Sequence, residues 1–305
     1  MMSMFPVSYE NLCQLIPSLT YHSSSPVAVA DINPMIKMLL SAVPEAFISG
    51  IGGHSHELKM FDLLSSVPSC PFIVRPFPQG LDIIFMQLHS NRNLRDRIAI
   101  DKPRPVHRRI QQLTGAVACI ESIGYVHGDL DPRNILVDND DDLILIDFDH
   151  ALEIGEDVDV GYEPYVRAHY MGEKGGSYGV AGPETELFAL DSLFWYMSQG
   201  KELYEEIERP TRVNILSDRK FPAMNPDDPI DKIIDYCWHQ KFLSVMELAQ
   251  HIQGTIGNSE YLSPANTLSA DDYLDKKKTT ASYYETLLKR MSDGPIQFKR
   301  KANST

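Results

Sequence analysis

The stretch from residue 127 to 150 reads HGDLDPRNILVDNDDDLILIDFDH. It gathers Asp129, Asn134 and Asp147, with Asp131, Arg133 and Asp149 interleaved. Transfer of a phosphoryl group to a hydroxyl needs few parts: a carboxylate to orient the hydroxyl and accept its proton, oxygen ligands for Mg²⁺ on nucleotide phosphates, and cations for the developing charge. This stretch can supply most of them. Asp129, in a loop leaving a helix, is placed to be the base. Asn134, five residues on, and Asp147, at the end of a second apolar run, are placed to hold one metal from two sides. The bland alternative is an acidic hairpin with solvated turns, but residue types, spacing and flanking elements together favour a site.

Positioning these groups requires a helix, a loop and a hairpin in that order. From 105 to 124, PVHRRIQQLTGAVACIESIG repeats apolar residues at Ile110, Leu113, Val117 and Ile120, with Pro105 near the start and Gly124 at the end, which predicts a helix with both punctuation marks. ILV and LILI, separated by an Asp/Asn turn, predict the hairpin. Upstream, PMIKMLL (34 to 40) reads as a strand carrying Lys37, and GLDIIFMQL as a buried strand. HSHELKMFDLLSSVP places Leu58, Phe61 and Leu64 at spacings of three, a helix with Glu57 near its start and Pro68 at its end. HSNRNLRDRI reads as a polar connection entering a short helix. Downstream, TELFALDSLFWYMS and PIDKIIDYCWHQKFLSVMELAQHIQ are apolar and helical in period, whereas the last forty or so residues turn polar and read as loosely tied down.

The chain has 305 residues and a hydrophobic fraction of 43%, enough for one large domain or two packed lobes. A formal charge of −14 and a pI near 5.1 disfavour a nucleic-acid reader or a partner of anionic lipid. Cys13, Cys70, Cys119 and Cys237 include no CxxC pair, which suits neither a zinc ribbon nor a dense disulfide framework. The N-terminus lacks a signal-peptide pattern and no window is apolar enough to span a membrane, so the expectation is a soluble cytoplasmic protein. FKRK near the end matches a nuclear signal in composition, but a solvated terminus is the commoner meaning. His54 and His56 read as surface histidines.

HGDLDPRNILVD followed by LIDFD resembles the catalytic loop and metal-binding segment of the eukaryotic protein kinase superfamily, whose pattern is HRDLxxxxN and then DFG. GPE (182 to 184) is similar to the APE motif, ALDSLFW to the helix that follows it with a buried aspartate, here Asp191, and the CW pair to the C-terminal helices. The similarity covers roughly residues 27 to 254, and its flavour is that of the divergent kinase-like proteins of filamentous fungi. It implies an α+β, two-lobed protein kinase-like fold, with a small β-rich N-lobe bearing one helix and a larger, mainly helical C-lobe. The implied domains are an N-terminal extension (1–26), the N-lobe (27–88), the C-lobe (89–258) and a polar tail (259–305).

The resemblance implies ATP and Mg²⁺ as cofactors and a protein substrate as partner. Asp129 becomes the catalytic base, Asn134 and Asp147 the metal ligands, and His127 the structural histidine of the loop. Lys37 would bind nucleotide phosphates and pair with Glu57, while Gln87 to His89 would form the hinge that hydrogen-bonds adenine. Asp191 would hold the catalytic-loop backbone.

Several residues depart from the pattern. No glycine precedes Gly50, so the Gly-rich phosphate loop is missing. Asp131 stands where a lysine is usual, with Arg133 as its compensating cation, counted here with the catalytic residues. Asp149 replaces the glycine of DFG, and Gly128 replaces the arginine that reads a phosphorylated loop. Tyr162, Tyr165, Tyr170 and Tyr178 read as ordinary loop aromatics. Two other readings stay open: a pseudokinase that binds partners without transferring phosphate, and a small-molecule kinase of the aminoglycoside-phosphotransferase type.

Overall fold

The computed structural model describes residues 19–21, 27–33, 36–41, 55–78, 83–87, 93–100, 105–138, 140–169, 177–256 and 269–292, with backbone alone for the strands at 19–41 and 83–87. The chain divides into two compact units: residues 1–55, 75–88 and 268–305 in one, and 56–74 with 89–267 in the other. No helix among the described residues is long and apolar enough to cross a membrane.

In the smaller unit β1 (Leu19–Tyr21), β2 (Val27–Asn33), β3 (Ile36–Ser41), β4 (Pro76–Pro78) and β5 (Ile83–Gln87) form an antiparallel sheet in the order β1-β2-β3-β5-β4. β3 and β5 are the two strands expected from PMIKMLL and GLDIIFMQL, and the register sets Lys37 opposite both Asp31 and Met86. The C-terminal segment expected to be loosely tied contains a 23-residue helix, numbered α8 below, at Ala270–Ser292. Its Tyr273 is the reason it docks. The ring stacks on Phe77 at 5.2 Å, the hydroxyl donates to the Pro76 carbonyl at 3.2 Å, and the Arg75 guanidinium lies 4.5 Å from the ring centroid.

The larger unit contains α1 (Ser55–Ser65, from His56 onward), α2 (Leu94–Ile100), α3 (Val106–Ser122), α4 (Pro183–Gln199), α5 (Arg209–Ser217), α6 (Pro229–Trp238) and α7 (Val245–Ile256). α3 follows the predicted period: Ile110, Leu113, Val117 and Ile120 are all buried. Its last turn also organises α7, because the Glu121 carboxylate accepts the Val245 and Met246 N–H groups at 2.9 and 3.0 Å, satisfying amides that a helix start leaves open. α6 has its own cap: the Asp228 side chain accepts from Ile230 and Asp231, ahead of Pro229 in the first turn. α4 ends at Gly200, whose φ of 74° lets its N–H turn back to the Tyr196 carbonyl. The apolar stretch 229–253 is therefore two helices, broken where Gln240 takes a positive φ.

Two small β ladders frame the centre of this unit. β6 (Tyr125–Val126) pairs with β9 (Leu152–Glu153), and β7 (Ile135–Val137) with β8 (Leu143–Leu145). The β7–β8 turn is the acidic hairpin of the sequence, and it is not a solvated one. Asp142 is fully buried against Arg108 and Gln112 of α3, and Asp141 meets Arg97 at 3.0 Å and the buried Arg109 at 2.9 Å. The Gln112 side-chain oxygen also accepts from Leu143 N–H. Removing charges from water is offset only where partners are this close, and here α3 supplies them.

Candidate active site

The catalytic loop begins at β6 and is held from beneath by α4. The backbone N–H groups of His127 and Gly128 donate to the two carboxylate oxygens of Glu186, at 3.0 and 3.3 Å. This corrects the role expected of Asp191. That residue is fully buried one turn further along α4, where the Ser192 hydroxyl donates to it at 3.2 Å, and burial raises its carboxyl well above the usual range. Burial likewise pushes the Glu186 carboxyl up to about 7, against the pull of the two amides.

His127 is fully buried. Its Nε2 lies 3.0 Å from the Ile146 carbonyl, and its ring packs at 5.2 Å on Phe148, which meets Phe61 of α1 edge-on at 5.5 Å. Three rings from three segments thus fix the loop, the end of the hairpin and α1 relative to one another. Gly128 has φ +77°, and a Cβ there would sit 2.2 Å from the His150 carbonyl oxygen. Only glycine fits, so the departure from arginine is a steric requirement of this loop.

Asp129 and Asn134 are joined directly. The Asn134 amide nitrogen donates to the Asp129 backbone carbonyl at 2.9 Å and to its carboxylate at 3.0 Å. Burial raises the Asp129 carboxyl, with the Asp131 charge adding to it and the Asn134 bond opposing. Asp147 is brought alongside by the hairpin, since Ile146 N–H donates to the Asn134 carbonyl at 3.0 Å. It holds a φ of +68°, an uncommon conformation for a non-glycine residue, next to the fully buried Phe148. Burial raises its carboxyl too, assisted by the Asp149 charge.

The Asn134–Asp147 pair fits a hard divalent cation in donor chemistry. With its amide nitrogen committed to Asp129, Asn134 offers a carbonyl oxygen, and Asp147 offers a carboxylate. No group of three His, Cys, Asp or Glu residues suited to a metal occurs among the described residues. A cation on this pair would need further oxygen ligands from outside it.

Arg133 turns toward Asp131. Its Nε and guanidinium NH₂ reach the two Asp131 oxygens at 3.0 and 2.8 Å, its own N–H donates to the same carboxylate, and its guanidinium lies 4.7 Å from the Tyr162 ring centroid. Asp131 is buried and caps the 3₁₀ turn Pro132–Asn134, which presents Asn134. The two departures from the kinase pattern therefore neutralise each other.

Glu57, the α1 residue named from sequence, is buried. Burial pushes its carboxyl up to about 8, reinforced by the Asp149 and Asp147 charges and opposed by the Phe148 N–H. The side chain of Lys37 and the whole of His89 lie outside the described residues, and Gln87 is placed only by register, opposite Ile36. GPE forms the end of a loop and the first turn of α4. Its Glu184 is exposed and pairs with Arg167 and Arg219. Tyr165 is buried and packs edge-on against Tyr162 at 5.4 Å.

A loop aspartate is thus bonded to the asparagine five residues on, with a second aspartate delivered by a hairpin, on an α+β scaffold. The sequence pattern of the family described as "Protein kinase domain" matches residues 78–273, well over half of the chain, and the chain belongs to that family. Among curated proteins it is similar to the maternal embryonic leucine zipper kinases of Xenopus tropicalis (34% identical over 95 residues), Xenopus laevis (32%) and Danio rerio (30%). Each alignment covers 31% of this chain and 13% of the relative's length.

Proposed function

We propose that this chain is an ATP- and Mg²⁺-dependent protein kinase that transfers the terminal phosphoryl group to a protein hydroxyl. The observation that carries the reading is the Asn134 side chain bridging the backbone and carboxylate of Asp129 at 2.9 and 3.0 Å, while its carbonyl fixes the segment entering Asp147. Asp129 would orient the acceptor hydroxyl and take its proton. Its raised carboxyl and the short asparagine bond suit a base that must be both positioned and able to hold a proton. Asn134 and Asp147 would hold Mg²⁺, which when bound neutralises phosphate charge.

The mutual neutralisation of Asp131 and Arg133 favours a second reading, a pseudokinase, because it removes a cation from the catalytic inventory. Calorimetry with ATP, with and without Mg²⁺, on the native chain and on Asp147→Ala separates the two. Metal-dependent binding that Asp147→Ala removes, followed by phosphorylation of a generic protein acceptor, supports the kinase. Absence of binding up to millimolar ATP sinks it and leaves the pseudokinase.

A further inference from the structure

Two of the free thiols belong to different elements of the larger unit and face each other closely enough to interact: Cys70, in the turn that follows α1, and Cys119, on α3. Both are partly exposed. The packing of their carriers is independent support for this approach. Gly115 lies one helical turn before Cys119 on the same face of α3, and a Cβ on it would stand 4.0 Å from the Phe72 ring, so this face of α3 fronts the turn 70–74. The turn itself is fixed to β8: Leu145 N–H donates to the Phe72 carbonyl at 2.8 Å, and Val74 N–H to the Leu145 carbonyl at 3.0 Å. Neither thiol has a part in the site described above.

We propose that Cys70 and Cys119 form a reversible intrachain disulfide, a redox-sensitive clamp that ties the turn after α1 to α3. Hydrogen peroxide is the oxidant. The neighbouring Cys70 side chain draws the Cys119 thiol down to about 7, which makes Cys119 the attacking group near neutral pH. Its thiolate attacks one peroxide oxygen: the S–O bond forms, the O–O bond breaks, and the departing oxygen leaves as water after taking a proton. Cys70 then attacks the sulfur of the sulfenic acid, the S–S bond forms, and a second water leaves with the hydroxyl and the Cys70 proton. Two thiols have lost two electrons and the peroxide has gained them. The closed loop joins the turn after the Glu57 helix to α3, and such a crosslink narrows the unfolded ensemble.

The test is peroxide treatment of the full native chain, followed by alkylation and peptide mass mapping. The expected product is a monomer lighter by two hydrogens, with the peptides containing 70 and 119 linked, reversed by dithiothreitol, and melting several degrees higher than the reduced form. In Cys70→Ser the link is absent and Cys119 is trapped by a sulfenic-acid probe. The mapping on the native chain does not depend on whether either variant folds. A link between two chains, overoxidised Cys119 beside an alkylatable Cys70, or no reaction at either thiol would each overturn the proposal.

Discussion

Glu186, in the first turns of α4, accepts the backbone N–H groups of His127 and Gly128 with one oxygen each, so a residue 59 positions downstream sets the path of the loop that presents Asp129. A buried carboxylate holding two amides is worth more than its own burial cost only while both bonds stand. Glu186→Ala leaves two buried N–H groups without an acceptor, and a loss of about 2–4 kcal/mol is expected in denaturant unfolding.

The same residue gives a pH dependence. Its folded carboxyl is pushed up by burial to about 7, above the ordinary 4.5, so between these values the folded chain holds more protons than the unfolded one. The stability it contributes is complete below about pH 4.5 and is lost as pH rises through 7. Thermal melts of Glu186→Gln across this window are expected to fall less with rising pH than those of the native chain.

Asp129→Asn is expected to lower phosphoryl transfer by a factor of about 10² or more while leaving nucleotide affinity nearly unchanged, since Asp129 engages only the amide nitrogen of Asn134 and leaves its side-chain oxygen and Asp147 to the metal. Single-turnover assays beside ATP calorimetry read both quantities. Loss of binding in this variant would mean that Asp129 acts by supporting Asn134.

Gly128→Ala combines a φ of +77° with a backbone oxygen 2.2 Å from the new Cβ. Relief requires His150 to move, and with it the segment after Asp147. A destabilisation of about 2–4 kcal/mol is expected from urea unfolding, together with loss of transfer activity. An unchanged midpoint would contradict the fit described for this loop.

Arg133→Ala leaves the buried Asp131 carboxylate without its guanidinium. The uncompensated charge beside Asp129 is expected to move the acidic limb of the pH–rate profile upward and to cost about 2 kcal/mol of stability, part of which Asp131→Ala in the same chain restores. A double-mutant cycle measures the coupling. Additive effects would show that the pair is not a unit.

The site was legible where its parts are close in sequence. Asp129, Asn134 and Asp147 fall within one loop and one hairpin, and apolar runs with a turn between them are enough to predict that residue 134 meets residue 146. Glu186 was not legible, because Asp191 looked equally suitable on the same helix and only the helical phase decides which carboxylate faces the loop. α5 was missed for a local reason: RPTRVNILS has a proline in its first turn and only Val213 and Leu216 buried. α8 escaped because DDYLDKKK carries a single large anchoring ring, whose partner lies 197 positions away at Pro76. Arg133 was expected from the sequence as the cation that replaces the missing lysine, and its bond to Asp131 within the turn was not foreseen.

The Tyr273 anchor also bears on where the domain can be cut. The family match stops at residue 273, near the start of a helix that continues to Ser292. A fragment trimmed to the end of the α7 helix would uncover the Phe77 ring and strip the Pro76 carbonyl of its donor, exposing an apolar face on a sheet edge. The minimal excisable piece is therefore set by a tyrosine ring at the last residue of the family match, on a helix that runs beyond it.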